Sequence, residues 1–207
     1  MARCVVTAVN AVITAPTAIA LKSSDFIYMI KKEIAVLGGG CFWCTEAAFK
    51  LVRGVISVMP GYAGGQKSNP KYAEIGSGVT GHAEVIQIEF DPKKVGFEDL
   101  LTVFFAVHDP TTLNRQGPDV GSQYRSIILY STPTQKSSAS KFMARLEKDQ
   151  VFDRPIVTEL KPLTKFYPAE DYHRDYYAQN EAAPYCQLVI SPKLAKLREK
   201  FAALLKK

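Results

Sequence analysis

Apolar and polar positions follow one another along this chain in blocks of changing period, and each change marks an element. Residues 33–37, Glu-Ile-Ala-Val-Leu, form a short β-branched and apolar run that reads as a buried strand. Ala47, Ala48, Leu51 and Val52 then recur at helical spacing until Gly54 stops the pattern. Residues 54–59 read as a second strand ended by Pro60-Gly61. Residues 62–80, rich in Gly, Asn, Pro and Ser, read as a long loop of the kind that usually serves function. From His82 to Phe90 the period is two, which places Ile86, Ile88 and Phe90 on a core face with Glu84 continuing it. Phe97, Leu100, Leu101, Phe104 and His108 mark one stripe of a helix over about 97–107, with His108 a helix-end residue rather than a base.

A polar loop over 111–123 leads into a strand at Ser126–Tyr130. Thr134 is expected to cap a helix whose stripe includes Ala139, Phe142, Met143 and Leu146. Residues 155–160 read as a strand, 172–177 as a short aromatic helix holding His173, and the last helix buries Leu194, Leu197, Phe201 and Leu204. Strands and helices alternate without a repeat or a linker, so one layered α+β domain is expected.

Composition changes this picture little. A length of 207 residues suits one domain with a real core, and 47% hydrophobic with 22% charged residues is ordinary for a globular protein. The net charge of +6 suggests an acidic partner until it is located. Six basic residues between Lys193 and Lys207 face Glu199 alone, so the body is nearly balanced and a nucleic-acid groove is not indicated. Residues 1–28 are small and apolar, with Arg3, Lys22 and Asp25 as their only charges. They lack the roughly 18 continuous apolar residues of a membrane span. They read as a disordered extension before a natural start at Met29, with a targeting segment as the alternative, and 29–207 as the single catalytic domain.

The chemistry converges on Gly38-Gly39-Gly40-Cys41-Phe42-Trp43-Cys44-Thr45-Glu46, where a strand runs through a glycine turn into a helix. Unpaired N–H groups and the positive end of the helix dipole favour an anion there, so the Cys41 thiol is expected to be lowered toward the physiological range. Cys44 lies three residues on, on the same face, within disulfide reach. Zinc would want a second close Cys or His pair, and Cys4 and Cys186 stand alone. A dinucleotide fingerprint would need glycine where Trp43 stands. Thioredoxin-like enzymes place their tryptophan before the pair, not inside it. Four cysteines are too few for a disulfide scaffold, and a Cys-x-x-Cys pair suits a reducing, cytoplasmic compartment. Glu84, aimed at the core side, should be kept protonated by desolvation and so able to act as an acid, unless it reaches water at the strand end.

Gly40-Cys41-Phe42-Trp43 with Thr45-Glu46 resembles the signature of peptide methionine sulfoxide reductase A. The similarity continues through Gly61-Tyr62-Ala63-Gly64-Gly65, Asn69-Pro70-Lys71-Tyr72, Thr80-Gly81-His82-Ala83-Glu84 and His108-Asp109-Pro110. It extends over Arg115-Gln116-Gly117-x-Asp119-x-Gly121-x-Gln123-Tyr124-Arg125-Ser126 and Ala169-Glu170-Asp171-Tyr172-His173, and covers the chain from about Lys31 to Cys186.

The resemblance implies a two-layer sandwich with a mixed sheet, a ferredoxin-like core with long loops. It implies reduction of the S epimer of methionine sulfoxide, with no metal or bound cofactor, in a monomer recycled by thioredoxin. Phe42 and Trp43 would form the substrate's apolar slot, and Glu84, Tyr72 and Tyr124 would serve the sulfoxide oxygen with Asp119 beside them. Cys41 would become a sulfenic acid, resolved by a cysteine in a Tyr-Cys context, here Cys186. Many relatives carry glycine where this chain has Cys44, so two resolving candidates stand open. The rival from another class is a thiol–disulfide oxidoreductase using the same Cys41–Cys44 pair.

Overall fold

The computed structural model describes residues 32–206. The expected extension at 1–28, the start at Met29, and Cys4 lie outside the described residues. The chain runs β1 (Glu33–Gly39), α1 (Phe42–Lys50), β2 (Val55–Ala63), α2 (Tyr72–Gly76), β3 (Ala83–Phe90) and α3 (Phe97–Val107). It continues through β4 (Arg115–Gln116), β5 (Asp119–Val120), β6 (Ser126–Tyr130), α4 (Pro133–Lys148), β7 (Glu159–Pro162), β8 (Phe166–Pro168), α5 (Tyr176–Gln179) and α6 (Ser191–Phe201).

Six strands form one sheet in the order β7-β6-β1-β3-β2-β8, and β4 pairs with β5 in a separate ribbon. The inner four, with α1 and α3 as crossovers, make the split β-α-β-β-α-β topology of the ferredoxin-like core. β6 and β7 are parallel and the other pairings antiparallel, so the sheet is mixed as expected. β1 is buried on both faces. Ala35 and Leu37 join the main core with Phe49, Phe90, Leu100 and Phe104, whereas Val36 packs with Val85, Ile127 and Leu129 on the opposite face. Ile86, Ile88 and Phe90 are all fully buried, as the period of two requires.

Several boundaries differ from the sequence reading. β2 does not stop at Pro60-Gly61 but pairs with β3 as far as Ala63. The Pro60 carbonyl accepts from Ala169 N, so its missing N–H faces the β8 side and the pairing with β3 loses no bond. The loops at 62–80 and 111–123 hold short elements of their own, α2 in one and the β4–β5 ribbon in the other. The cap of α4 is Thr132, which accepts from Gln135 N, with Pro133 in the first turn; Thr134 is already helical. β7 begins at Glu159 rather than 155, because Val157 N is used by Pro110 and the Thr158 hydroxyl by Ser126. The aromatic helix breaks in two at Asp175, whose φ is 53° and whose amide donates to the buried Glu46. Leu204 lies in a 3-10 turn beyond α6, whose buried residues are Leu194 and Leu197.

Candidate active site

The site is built where β1 turns into α1. Gly40 has φ +93°, and a Cβ there would stand 2.5 Å from Gln116 Cγ, so only glycine makes this turn. A Cβ at Gly38 would meet the Glu84 carbonyl oxygen at 2.7 Å; its absence lets β1 lie close against the stretch of β3 that carries Glu84. Cys41 is the N-cap of α1 rather than a residue of its first turn. Its carbonyl accepts from Cys44 N at 3.1 Å and Thr45 N at 3.4 Å.

Glu84 is buried, and its Oε2 accepts from the Phe42 amide at 3.0 Å. Burial pushes its pKa up to about 8, with Asp119 and Cys44 pushing the same way, so the carboxyl is protonated at neutral pH. With Oε2 occupied by an N–H, Oε1 is the oxygen free to carry that proton.

The expected lowering of Cys41 is overturned. Burial pushes its thiol well above the usual range, and Cys44 and Glu84 act in the same direction. The physical reason is burial: a thiolate at this dry position would lose its hydration, and no cap hydrogen bond from the helix reaches the Cys41 side chain to offset that. Cys41 instead donates to Cys44, whose pKa falls to about 7 against the opposing effect of burial, helped by Lys193 and the Tyr185 hydroxyl. The pair therefore shares one negative charge, and that charge rests on Cys44.

Around the thiols stands an aromatic box. Phe42 is buried, and its ring centroid lies 5.0 Å from that of His173, 5.9 Å from Tyr62 and 6.5 Å from Tyr72. Trp43 stacks on Tyr176 at 3.6 Å and donates its indole N–H to His173 Nδ1 at 3.1 Å. Burial and the Glu84 carboxyl push Tyr72 up to about 12 and raise Tyr124 as well, so both phenols are hydrogen-bond donors at neutral pH.

Asp119, at the start of β5, accepts from the Tyr185 hydroxyl at 2.8 Å, and that same hydroxyl lies 3.8 Å from Cys44 Sγ. Cys186 is fully buried in a π-helical turn, Cys186–Ile190, where burial raises its thiol. All three described cysteines are free thiols. His108 caps α3 and is neutral: burial lowers it to about 4, its Nδ1 meets Phe104 O, and its Nε2 meets Ser126 Oγ.

Three groups escaped the sequence reading as site residues: Tyr185, Glu170 and the hydrogen-bonding role of His173. Glu170 Oε2 accepts from the Tyr62 hydroxyl at 2.8 Å and Oε1 from Tyr72 N at 3.1 Å, so one carboxylate anchors both tyrosines. Burial raises the Glu170 carboxyl, but those donors outweigh it and hold the group below the usual range. Polar residues flanking an aromatic run, in 169–173, were the available signal. Among the described residues no three His, Cys, Asp or Glu side chains come together to hold a metal. Nor is any described helix long and apolar enough to cross a membrane.

The model of the peptide methionine sulfoxide reductase family matches residues 33–205, which spans every element just described. The chain belongs to that family. A peptide methionine sulfoxide reductase of Chromobacterium violaceum is 56% identical over 173 residues, covering 84% of this chain and 98% of the relative. One from Thermus thermophilus is 56% identical over 175 residues, with the same coverage. Among solved structures, methionine sulfoxide reductase A of Corynebacterium diphtheriae superposes with a TM-score of 0.70 at 34% identity, covering 73% of this chain and 76% of that one. The reduced form of Mxr1 from Saccharomyces cerevisiae gives 0.68 at 32%, covering 75% and 89%. The family's fold is thus this fold.

Proposed function

We propose that the chain, an oxidoreductase of this family, reduces the S epimer of methionine sulfoxide, free or in proteins, by moving the sulfoxide oxygen onto Cys41. The observation that carries the reading is the meeting of Cys41 with a protonated Glu84 at one helix N-terminus, inside an aromatic box. Phe42 and Trp43 hold the substrate's methyl group. Glu84, with Tyr72 and Tyr124, donates to the sulfoxide oxygen and makes the sulfur electrophilic. Cys41 attacks that sulfur as its proton passes to the Cys44 thiolate. The hydroxyl then moves from the substrate sulfur to the Cys41 sulfur as the S–O bond and the new S–S bond break; the methionine sulfur keeps an electron pair and is reduced by two electrons, and Cys41 is oxidised to a sulfenic acid. Cys44, now a thiol, condenses with it, releasing water and forming a disulfide; Cys186, buried, follows only after its turn opens. A dithiol protein, thioredoxin, returns the thiols by exchange in a reducing, cytoplasmic setting.

The test is turnover of separated S and R epimers of a chromophore-tagged methionine sulfoxide with dithiothreitol. Reduction of S alone is expected, and Cys41→Ser should lose more than about a thousand-fold, because a hydroxyl is a poor nucleophile toward sulfur. Substantial methionine formation by Cys41→Ser would sink the assignment of the nucleophile. Disulfide reduction with no sulfoxide turnover would favour the thiol–disulfide reading of the same Cys41–Cys44 pair.

A further inference from the structure

The chain holds a single tryptophan, Trp43, and its one polar atom is committed to His173. Because the indole Nε1 can only donate, His173 Nδ1 must be the acceptor, and the neutral ring carries its proton on Nε2. That Nε2 is fully buried and has no hydrogen-bond partner; the nearest carboxylate oxygen, on Glu170, stands at 4.0 Å. A buried donor left unpaired is rare and disfavours the arrangement unless something else fixes it. Here the fixing element is the indole on the opposite side of the ring.

We infer that His173 is a positioning residue: its Nδ1 lone pair fixes the Trp43 indole as a wall of the substrate slot. The inference rests on the reading of Phe42 and Trp43 as that slot. Trp43 is held in two independent ways, by stacking on Tyr176 at an interplanar angle of 6° and by this single hydrogen bond, which sets rotation within the stacking plane. The His173 ring is itself gripped by Tyr72 at 4.4 Å, Tyr172 at 4.2 Å and Phe42 at 5.0 Å. A proton arriving at Nδ1 would turn the acceptor into a donor facing a donor, and the wall would lose its fixed orientation. The ionisable groups facing the ring are Glu170 on its own segment and the phenols of Tyr72 and Tyr172; α1 presents only Phe42 and Trp43, which do not titrate. Burial lowers the His173 pKa and Glu170 opposes that, so the ring is neutral in the working range.

The experiment reads the emission of the lone tryptophan and the steady-state constants together, on the full chain with thiols reduced. In the wild type, emission without substrate should change once as pH falls through the acid side of the usual histidine range, with the far-ultraviolet circular dichroism constant. His173→Asn, whose amide oxygen replaces Nδ1, should lose that transition yet keep KM for methionine sulfoxide within about threefold. His173→Phe fills the ring's space but accepts nothing, and should raise KM about five- to tenfold with kcat changed less, the range expected for one lost hydrogen bond. An acid transition persisting in His173→Asn, or an Asn variant as impaired as Phe, would overturn the inference, since either means the ring acts by packing alone. Trp43→Leu separates the two readings. If it leaves KM unmoved, the slot assignment fails; if it raises KM while His173→Phe does not, only the role of His173 fails.

Discussion

The Phe42 amide donates to Glu84 Oε2 at 3.0 Å, which ties the residue after Cys41 to the buried carboxyl on β3. The bond itself favours the ionised Glu84; burial outweighs it and keeps the carboxyl neutral, and burial likewise raises Cys41. The hydrogen bond from Cys41 to Cys44 makes the cysteine pair, rather than either cysteine, the titrating unit.

From this comes a narrow pH profile. Glu84 must be protonated and the Cys41–Cys44 pair must have lost one proton, so kcat/KM should rise through an apparent pKa of about 7 and fall through about 8. In Cys44→Ser the rising limb should move to higher pH, because burial then acts on Cys41 with no partner to take its proton. Activity at pH 7 should drop at least about tenfold. An unchanged rising limb in Cys44→Ser would show that Cys44 is not the proton acceptor.

Glu84→Gln should lose about a hundred-fold or more in kcat, since an amide cannot supply the proton, and the falling limb should vanish with it. Its stability should move the other way. The folded pKa of Glu84 lies above its unfolded value, so the native state retains a proton that the unfolded chain releases. Wild-type stability therefore falls as pH rises from about 4.5 to about 8. The Gln variant escapes this loss and should be more stable by about 2–3 kcal/mol at pH 7, with no difference near pH 4. Urea unfolding at the two pH values measures this directly; equal stability at pH 7 would mean that Glu84 is not held neutral.

Tyr185→Phe removes the hydroxyl shared between Asp119 and the Cys44 sulfur. Cys44 loses the polar hydroxyl beside its sulfur and faces the Asp119 carboxylate unshielded, so its pKa should climb above about 7. The pH midpoint of iodoacetamide modification, mapped by peptide mass, reports the shift, and kcat/KM at pH 7 should fall several-fold. A midpoint that stays put would leave Tyr185 as packing only.

Mass mapping after one equivalent of substrate should find the Cys41–Cys44 bridge first, and Cys186→Ser should leave that first step at its normal rate. Cys186 has no exposed surface, whereas Cys44 already touches Cys41 through its proton. A Cys41–Cys186 bridge appearing first would reverse the order.

Much of the fold could be read from period alone. β3 is the clearest case, because strict alternation left Ile86, Ile88 and Phe90 no other face, and Glu84 was carried inward with them. Period fails where long-range partners decide. Pro60 looked like a strand end, and is tolerated inside β2 because its missing N–H faces β8 rather than β3. Asp175 breaks the aromatic helix because Glu46, 129 residues away, takes its amide. The site shows the same division. Cys41, Cys44 and Glu84 were visible in local pattern, but the direction of the Cys41 shift was not, since it depends on how deeply the rest of the chain buries the thiol. Tyr185 and Glu170 act through partners at least 66 and 98 residues away, and beyond the polar-flanked aromatic run around Glu170 no local pattern announces those roles.

The two outermost strands of the sheet have a consequence for the company this protein keeps. β7 is four residues long and ends at Pro162; β8 is three residues long and ends at Pro168. Each carries charge or proline where another chain would have to form a ladder, with Glu159 and Lys161 paired along β7. A repair enzyme for oxidised proteins works among damaged chains that expose their own unpaired strands. Edges this short and blunted offer such strands little ladder to extend, which disfavours backbone pairing with them.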